Sequence, residues 1–296
     1  MKLNWLAFFR NLDRRIIYAF VFLALGTPLY FQYAIAPARM ESAEKFYDLV
    51  DNIQGGPDKI AFLSLDFGPS TTAENRPQAE VVIEHLMRKR IPFAVVSQLA
   101  ESAGLLEEIP EQVAKKLEIE NKGQHWQYGR DWVNLGYMVG GFLQIQAMPN
   151  SDDLRAYFRK DVRGNNLTDL PAFNQVKTIK NIALVTEITG SVGTFEPYVQ
   201  FFQTADYRPP LTHGCTSITT PQAYIYLDAG QLQGLLEGIA GAAWYSELLK
   251  RHYPARGIDD SAITNTSLGV AHLVIILLVL LGNVVAFLGR ERGATR

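Results

Sequence analysis

Cysteine is almost missing from this chain: Cys215 is the only one in 296 residues. An internal disulfide is therefore excluded, as is a zinc site built on several thiolates. The five histidines, His85, His125, His213, His252 and His272, are scattered without a ligand spacing such as HExxH. No metal and no cofactor is expected. Neither of the glycine-rich phosphate signatures, GxGxxG or GxxxxGK[ST], is present. Internal repeats and low-complexity tracts are also absent. Excess positive charge is lacking, with 28 Lys and Arg against 30 Asp and Glu, which speaks against a nucleic-acid partner.

What the chain does have is two long apolar runs. Leu268 to Leu288 carries no charge over roughly 20 residues, the length a helix needs to cross a hydrocarbon core. Ile16 to Ala36 is its counterpart near the other end, with Pro28 expected to kink it. Residues 1–15 and 290–296 contain seven cations (Lys2, Arg10, Arg14, Arg15, Arg290, Arg292, Arg296) against Asp13 and Glu291, a net charge of +5. The rest of the chain therefore carries −7, since the total is −2. Basic flanks favour the cytoplasmic side. Both termini are accordingly read as cytoplasmic in a cell (inner) membrane, with the middle exported to the periplasm or cell exterior. Trp5, Phe8 and Phe9 among the first cations suggest a short amphipathic lead-in at the membrane surface. The first run exceeds the about 7–15 apolar residues of a signal peptide, and Pro37 directly follows the small-residue stretch Ala34-Ile35-Ala36. It is read as a retained anchor.

The organisation expected is a cytoplasmic segment 1–15, a span 16–36, an exported domain 40–258, a linker 259–267, a span 268–288 and a tail 289–296. The exported part is long enough for a full core. Within it, Lys59–Phe67, Ile91–Ser97 and Asn181–Ile188 are near-continuous apolar runs of strand length, typical of strands buried on both faces. Glu74–Arg90 has helical periodicity between the first two, making a βαβ unit. The fold class expected is α/β, a Rossmann-like and mostly parallel sheet between two transmembrane helices. Helices are also expected over Met40–Ile53, Ile109–Ile119, Asp152–Lys160 and Phe195–Gln203, with short β-prone pieces at His213–Thr219 and Gln222–Tyr226.

Two loops follow predicted strands and have the composition of ligand loops. They supply the candidate ligand-binding residues Asp66, Gly68, Ser70 and Thr71, and Gly190, Ser191, Gly193 and Thr194. Glycines there free backbone N–H groups, and ligands of doubly wound sheets sit beyond the strand ends. The same glycines and hydroxyls also serve ordinary helix caps. Candidate catalytic groups are Asp66, Glu187, Glu196, His213 and Cys215, of which His213 and Cys215 stand two apart and project to one face of a strand. Gly230, Gly234, Gly238 and Gly241 are read on one long helix, Gly230–Arg251, whose glycine groove would pack on its own domain or on a second subunit. Trp126 and Trp132, in an aromatic and polar stretch, are candidate interface anchors.

One span near each end around an exported domain resembles the layout of polysaccharide chain-length regulators, in topology alone. The first functional reading is a membrane-anchored binding or assembly module with the lipid bilayer as partner. It would self-associate or join other membrane proteins, with a possible small-molecule ligand. The second is a membrane-tethered hydrolase or transferase acting on an envelope component. The third is a scaffold that presents its aromatic loop.

Overall fold

The computed structural model describes residues 13–257 and 259–293. The lead-in around Trp5, Phe8 and Phe9 and the last cation, Arg296, lie outside the described residues. The chain divides into two units, one formed by its two ends and the other by residues 38–257.

The terminal unit is a pair of helices. α1, Arg14–Phe31, starts from an Asp13 cap whose carboxylate accepts from the Arg15 N–H, and contains Pro28. It ends at Gln32 in a left-handed conformation (φ 52°). The last helix of the chain, Asp260–Gly293, runs 34 residues without a break. The expected linker 259–267 is thus helical from Asp260 onward. Asp259 supplies the reason, since its carboxylate accepts from the Ser261 N–H at 2.8 Å and caps the new N-terminus. The two helices touch where Ser267 Oγ donates to the Leu25 carbonyl, and beyond the end of α1 the Ile35 N–H donates to Thr266 Oγ1 at 2.9 Å. Phe20, Phe22, Leu23, Leu273, Ile276 and Leu277 point outward. Both helices are long and apolar enough to cross a membrane.

The central unit is a six-stranded, all-parallel sheet in the order β3-β2-β1-β4-β5-β6. The strands are β1 Ile60–Asp66, β2 Phe93–Ser97, β3 Trp132–Tyr137, β4 Ile182–Thr189, β5 Leu211–Cys215 and β6 Gly234–Glu237. β1 and β4 lie at the centre, which accounts for their continuous burial and apolar sequences. Helices cover both faces. On one side are α2 (Glu41–Asp51), α3 (Thr72–Arg88), α4 (Ala103–Glu120) and α9 (Gly238–His252), packed on Ala61, Leu63, Leu65, Leu184 and Ile188. The other face, with Ile60, Phe62, Val185 and Leu211, is covered by α5 (Phe142–Ala147), α6 (Leu154–Phe158) and α7 (Val192–Phe201), with α8 (Thr220–Asp228) beyond. The last helix of the terminal unit is α10.

Three further expectations are corrected. Gly230–Arg251 is not one helix. Gly230 (φ 69°) and Gly238 (φ 54°) adopt left-handed conformations that interrupt it, and Gly234–Glu237 between them pairs with β5. The glycines therefore form no groove and no zipper. Gly234 lets β6 approach α2, where a Cβ would lie 2.6 Å from Phe46 Cα, and a Cβ on Gly241 would lie 2.8 Å from Leu236 Cα. Gln222–Tyr226 is helical rather than β, because Thr220-Pro221 opens α8 with proline in its first turn. The two indoles of the aromatic stretch are not surface anchors. Trp126 and Trp132 are buried, and the Trp126 indole N–H donates to the Met87 carbonyl at 2.8 Å.

Two buried polar devices tie the layers together. Gln78 Nε2 on α3 lies 2.8, 2.9 and 3.2 Å from the carbonyls of Cys215, Gly238 and Leu236, fixing the ends of β5 and β6. Glu84 receives a forked pair from Arg256 at 2.7 and 2.8 Å and a further bond from Arg88, which also grips Glu120. Removing Arg256 takes two charged hydrogen bonds from a buried carboxylate and leaves Arg88 to compensate it. Arg256→Met should therefore destabilise the fold by about 3–5 kcal/mol in urea unfolding. The double variant with Glu84→Leu should recover much of that loss, whereas equal or additive losses would show that the network carries little of the packing.

Candidate functional site

In the parallel register, two rungs of side chains cross the sheet near the carboxyl ends of its strands. Ser64 pairs with Glu187 and Glu187 with His213 in one rung. Asp66, Thr189, Cys215 and Glu237 form the next, across β1, β4, β5 and β6. Their parity places them on the face covered by α7. A strand interior normally carries apolar residues there, and lower on the same face Phe62, Val185 and Leu211 do. The change to polar side chains coincides with the point where the strand order reverses, between β1 and β4. In doubly wound sheets this is where ligands bind.

Asp66 is buried but well supplied with donors. Ser97 Oγ and the Gln98 N–H reach Oδ1 at 2.8 and 2.5 Å, while Ser64 Oγ and Gln98 Nε2 reach Oδ2 at 2.6 and 3.4 Å. Burial still outweighs these bonds and raises its carboxyl above the ordinary range. Glu187 is held less completely. Its Oε1 accepts from Thr194 Oγ1 at 3.0 Å. His213 Nδ1 lies 2.8 Å from Oε2 and 2.9 Å from the Glu187 carbonyl. The ring N–H is aligned on the carbonyl, so Oε2 is left without a directed donor. Burial, and after it the Asp66 charge, pushes Glu187 well above the usual carboxylate range. Two buried carboxyls so placed each oppose the ionisation of the other.

His213 is stacked on Phe195, with ring centroids 4.0 Å apart, and burial lowers its pKa to about 4 despite the carbonyl bond. It is neutral, with Nδ1–H donating. Cys215 is buried, bonded to Thr220 at 3.3 Å, and its thiol is raised to about 11 by burial, opposite to a reactive thiolate. Glu196 stands apart from the rungs on α7 and accepts from the Tyr226 hydroxyl at 2.8 Å. Asp66, Glu187 and His213 are thus brought together, and Glu196 is not among them.

Above this floor the loops converge. The β1–α3 loop contributes Gly68 and Thr71, and the β4–α7 loop contributes Gly190 and Ser191. A Cβ on Gly190 would lie 2.5 Å from Thr71 Cγ2 and 3.2 Å from Thr216 Cγ2, so the loops after β1, β4 and β5 meet at this glycine. Thr189 Oγ1 ties the two central strands by donating to the Asp66 carbonyl at 2.7 Å, and it accepts from the Ser191 N–H at 3.0 Å. Ser70, Ser191 and Gly193 are exposed along the rim. Gln98, absent from the sequence-based candidates, links the floor to the rim, reaching Asp66 and donating to the Thr194 carbonyl at 2.8 Å. Its position directly after a buried strand was the available signal.

The arrangement can hold a proton, orient a neutral imidazole and present hydroxyls and glycine backbone to a ligand. Among the described residues no group of three or more His, Cys, Asp or Glu side chains could hold a metal ion. Compared with family models, with curated proteins and with solved structures, the chain finds no match in any of the three.

A raised carboxyl stabilises the fold below its unfolded pKa and loses that contribution as pH rises toward its folded value. Glu187→Gln mimics the protonated form and does not titrate. Its stability relative to the parent chain should be flat below the ordinary carboxyl value of 4.5. It should then rise with pH by up to about 1.4 kcal/mol per unit. Denaturant unfolding at several pH values measures this, and a pH-independent difference would contradict the raised carboxyl of Glu187.

Proposed function

We propose that this chain is a membrane-anchored binding module. α1 and α10 hold it in the bilayer, the α/β unit stands outside the cytoplasm, and a small ligand is taken at the strand-end edge beside Gly190. It acts within an oligomer or a larger membrane complex. The carrying observation is the convergence of the β1, β4 and β5 loops at the switch point, over a rung of polar side chains where an ordinary sheet core would be apolar. The packed pair of apolar helices supports anchoring, since their outward Phe, Leu and Ile side chains suit lipid better than water. The charge pattern, +5 in the flanks against −7 elsewhere, supports the exported placement.

A membrane-tethered hydrolase or transferase is the alternative reading. It would need Asp66, Glu187 or His213 to reach a substrate, and these side chains are between 0% and 3% exposed. The buried thiol of Cys215 and the separate position of Glu196 also favour binding over catalysis.

Native mass spectrometry of the full chain released from nanodiscs tests the proposal. The expected spectrum shows more than one subunit or a membrane partner, together with a retained small mass. Gly190→Val should remove that small mass while leaving the circular dichroism spectrum unchanged. A bare monomer from both proteins would overturn the binding reading.

A further inference from the structure

The outer polar rung does not stop in the core. It continues from Cys215 to Glu237, the last residue of the edge strand β6, and there it opens into a cleft of about 560 Å³. That volume falls within the about 300–1,000 Å³ of small-molecule sites. The cleft lies between α2 and α8, away from the β1–β4 switch point. Glu237 Oε1 accepts two hydroxyls, Ser42 Oγ from α2 at 2.6 Å and Tyr224 Oη from α8 at 2.7 Å. All three side chains line the cavity.

These donors are neutral. They aim the carboxylate without compensating its charge, and both are spent on one oxygen. Oε2 accepts no hydrogen bond from the described residues, and Glu237 has no cationic partner among them. Asp228, on the same wall, has none either. The two cations of the lining are engaged elsewhere: Lys45 pairs with Glu41 at 2.9 Å and Arg39 with Glu44 at 2.7 Å. A carboxylate oriented from behind, open in front and unpaired inside a cleft matches an ammonium group, for which a charged hydrogen bond is about twice as strong as a neutral one. Met40 and Leu232 provide apolar wall for the body of a ligand.

We propose that this cleft binds a ligand through a primary ammonium group seated on Glu237, oriented by Ser42 and Tyr224. The site is separate from the switch point, and its occupation does not depend on what binds there.

Calorimetric titration of the full chain in detergent with cadaverine tests this, with the diol of the same chain length as the uncharged control. Cadaverine should bind with a Kd of about 1 mM or tighter, and the diol should not bind measurably. Glu237→Gln should weaken binding by about tenfold or more. Tyr224→Phe, a milder change at a side chain 37% exposed, should weaken it several-fold and serves as the probe if Glu237→Gln fails to fold. Glu247→Gln, which removes a carboxylate outside the cleft, should change nothing. Absence of cadaverine binding, equal binding of the diol, or an equal loss in Glu247→Gln would each overturn the proposal.

Discussion

The structure depends on one constraint: every strand of the sheet runs in the same direction. Parallel strands need a crossover between each pair, so helices cover both faces and all six carboxyl ends gather along one edge. Backbone pairing fixes which residues meet there. Ser64, Glu187 and His213 become neighbours although the chain places them more than twenty residues apart, and Asp66, Thr189, Cys215 and Glu237 follow one step further out. Polar side chains in two consecutive rungs make the end of the sheet chemically unlike its base. Their cost in desolvation is met locally by Ser97, Gln98, Thr194 and the Glu187 carbonyl.

Burial decides what these groups can do. Deep in the sheet it lowers the pKa of His213 and raises those of Cys215, Asp66 and Glu187. At the β6 edge the outer rung ends at Glu237, which lines a cleft between α2 and α8. Gln78 and the Glu84–Arg256–Arg88 set hold the frame on the opposite face, fastening the strand ends and the α3, α4 and α9 layer.

Much of this was legible in the sequence. β1, β2 and β4 announce themselves as continuous apolar runs because both their faces are buried. The loops after β1 and β4 follow from those strands, so Asp66 and Gly190 could be singled out. The segment after Gly230 could not be read correctly. Leu232, Leu235, Leu236 and Ile239 satisfy a helical period as well as a short strand, and β6 has only four residues. The glycines at four-residue intervals reflect three unrelated demands: turns at Gly230 and Gly238, and close approach to α2 at Gly234. Trp126 and Trp132 were misplaced because their polar neighbours face outward while the indoles turn beneath α4. Single glutamines such as Gln78 and Gln98 carry no periodic signal, although each satisfies several buried groups.

The proposed function puts the α/β unit on the side of the membrane opposite both termini, a proposal that rests on the charge pattern and the two apolar helices. The most direct test replaces Cys215 by Ala and installs a single thiol, either by Lys122→Cys at an exposed position of the α/β unit or by Ala294→Cys in the tail. Intact cells (spheroplasts, if an outer membrane is present) are treated with a membrane-impermeant maleimide. Labelling of the Lys122→Cys protein, with Ala294→Cys labelled only after the cells are lysed, is the expected result. The reverse pattern, or labelling of neither until lysis, would contradict it.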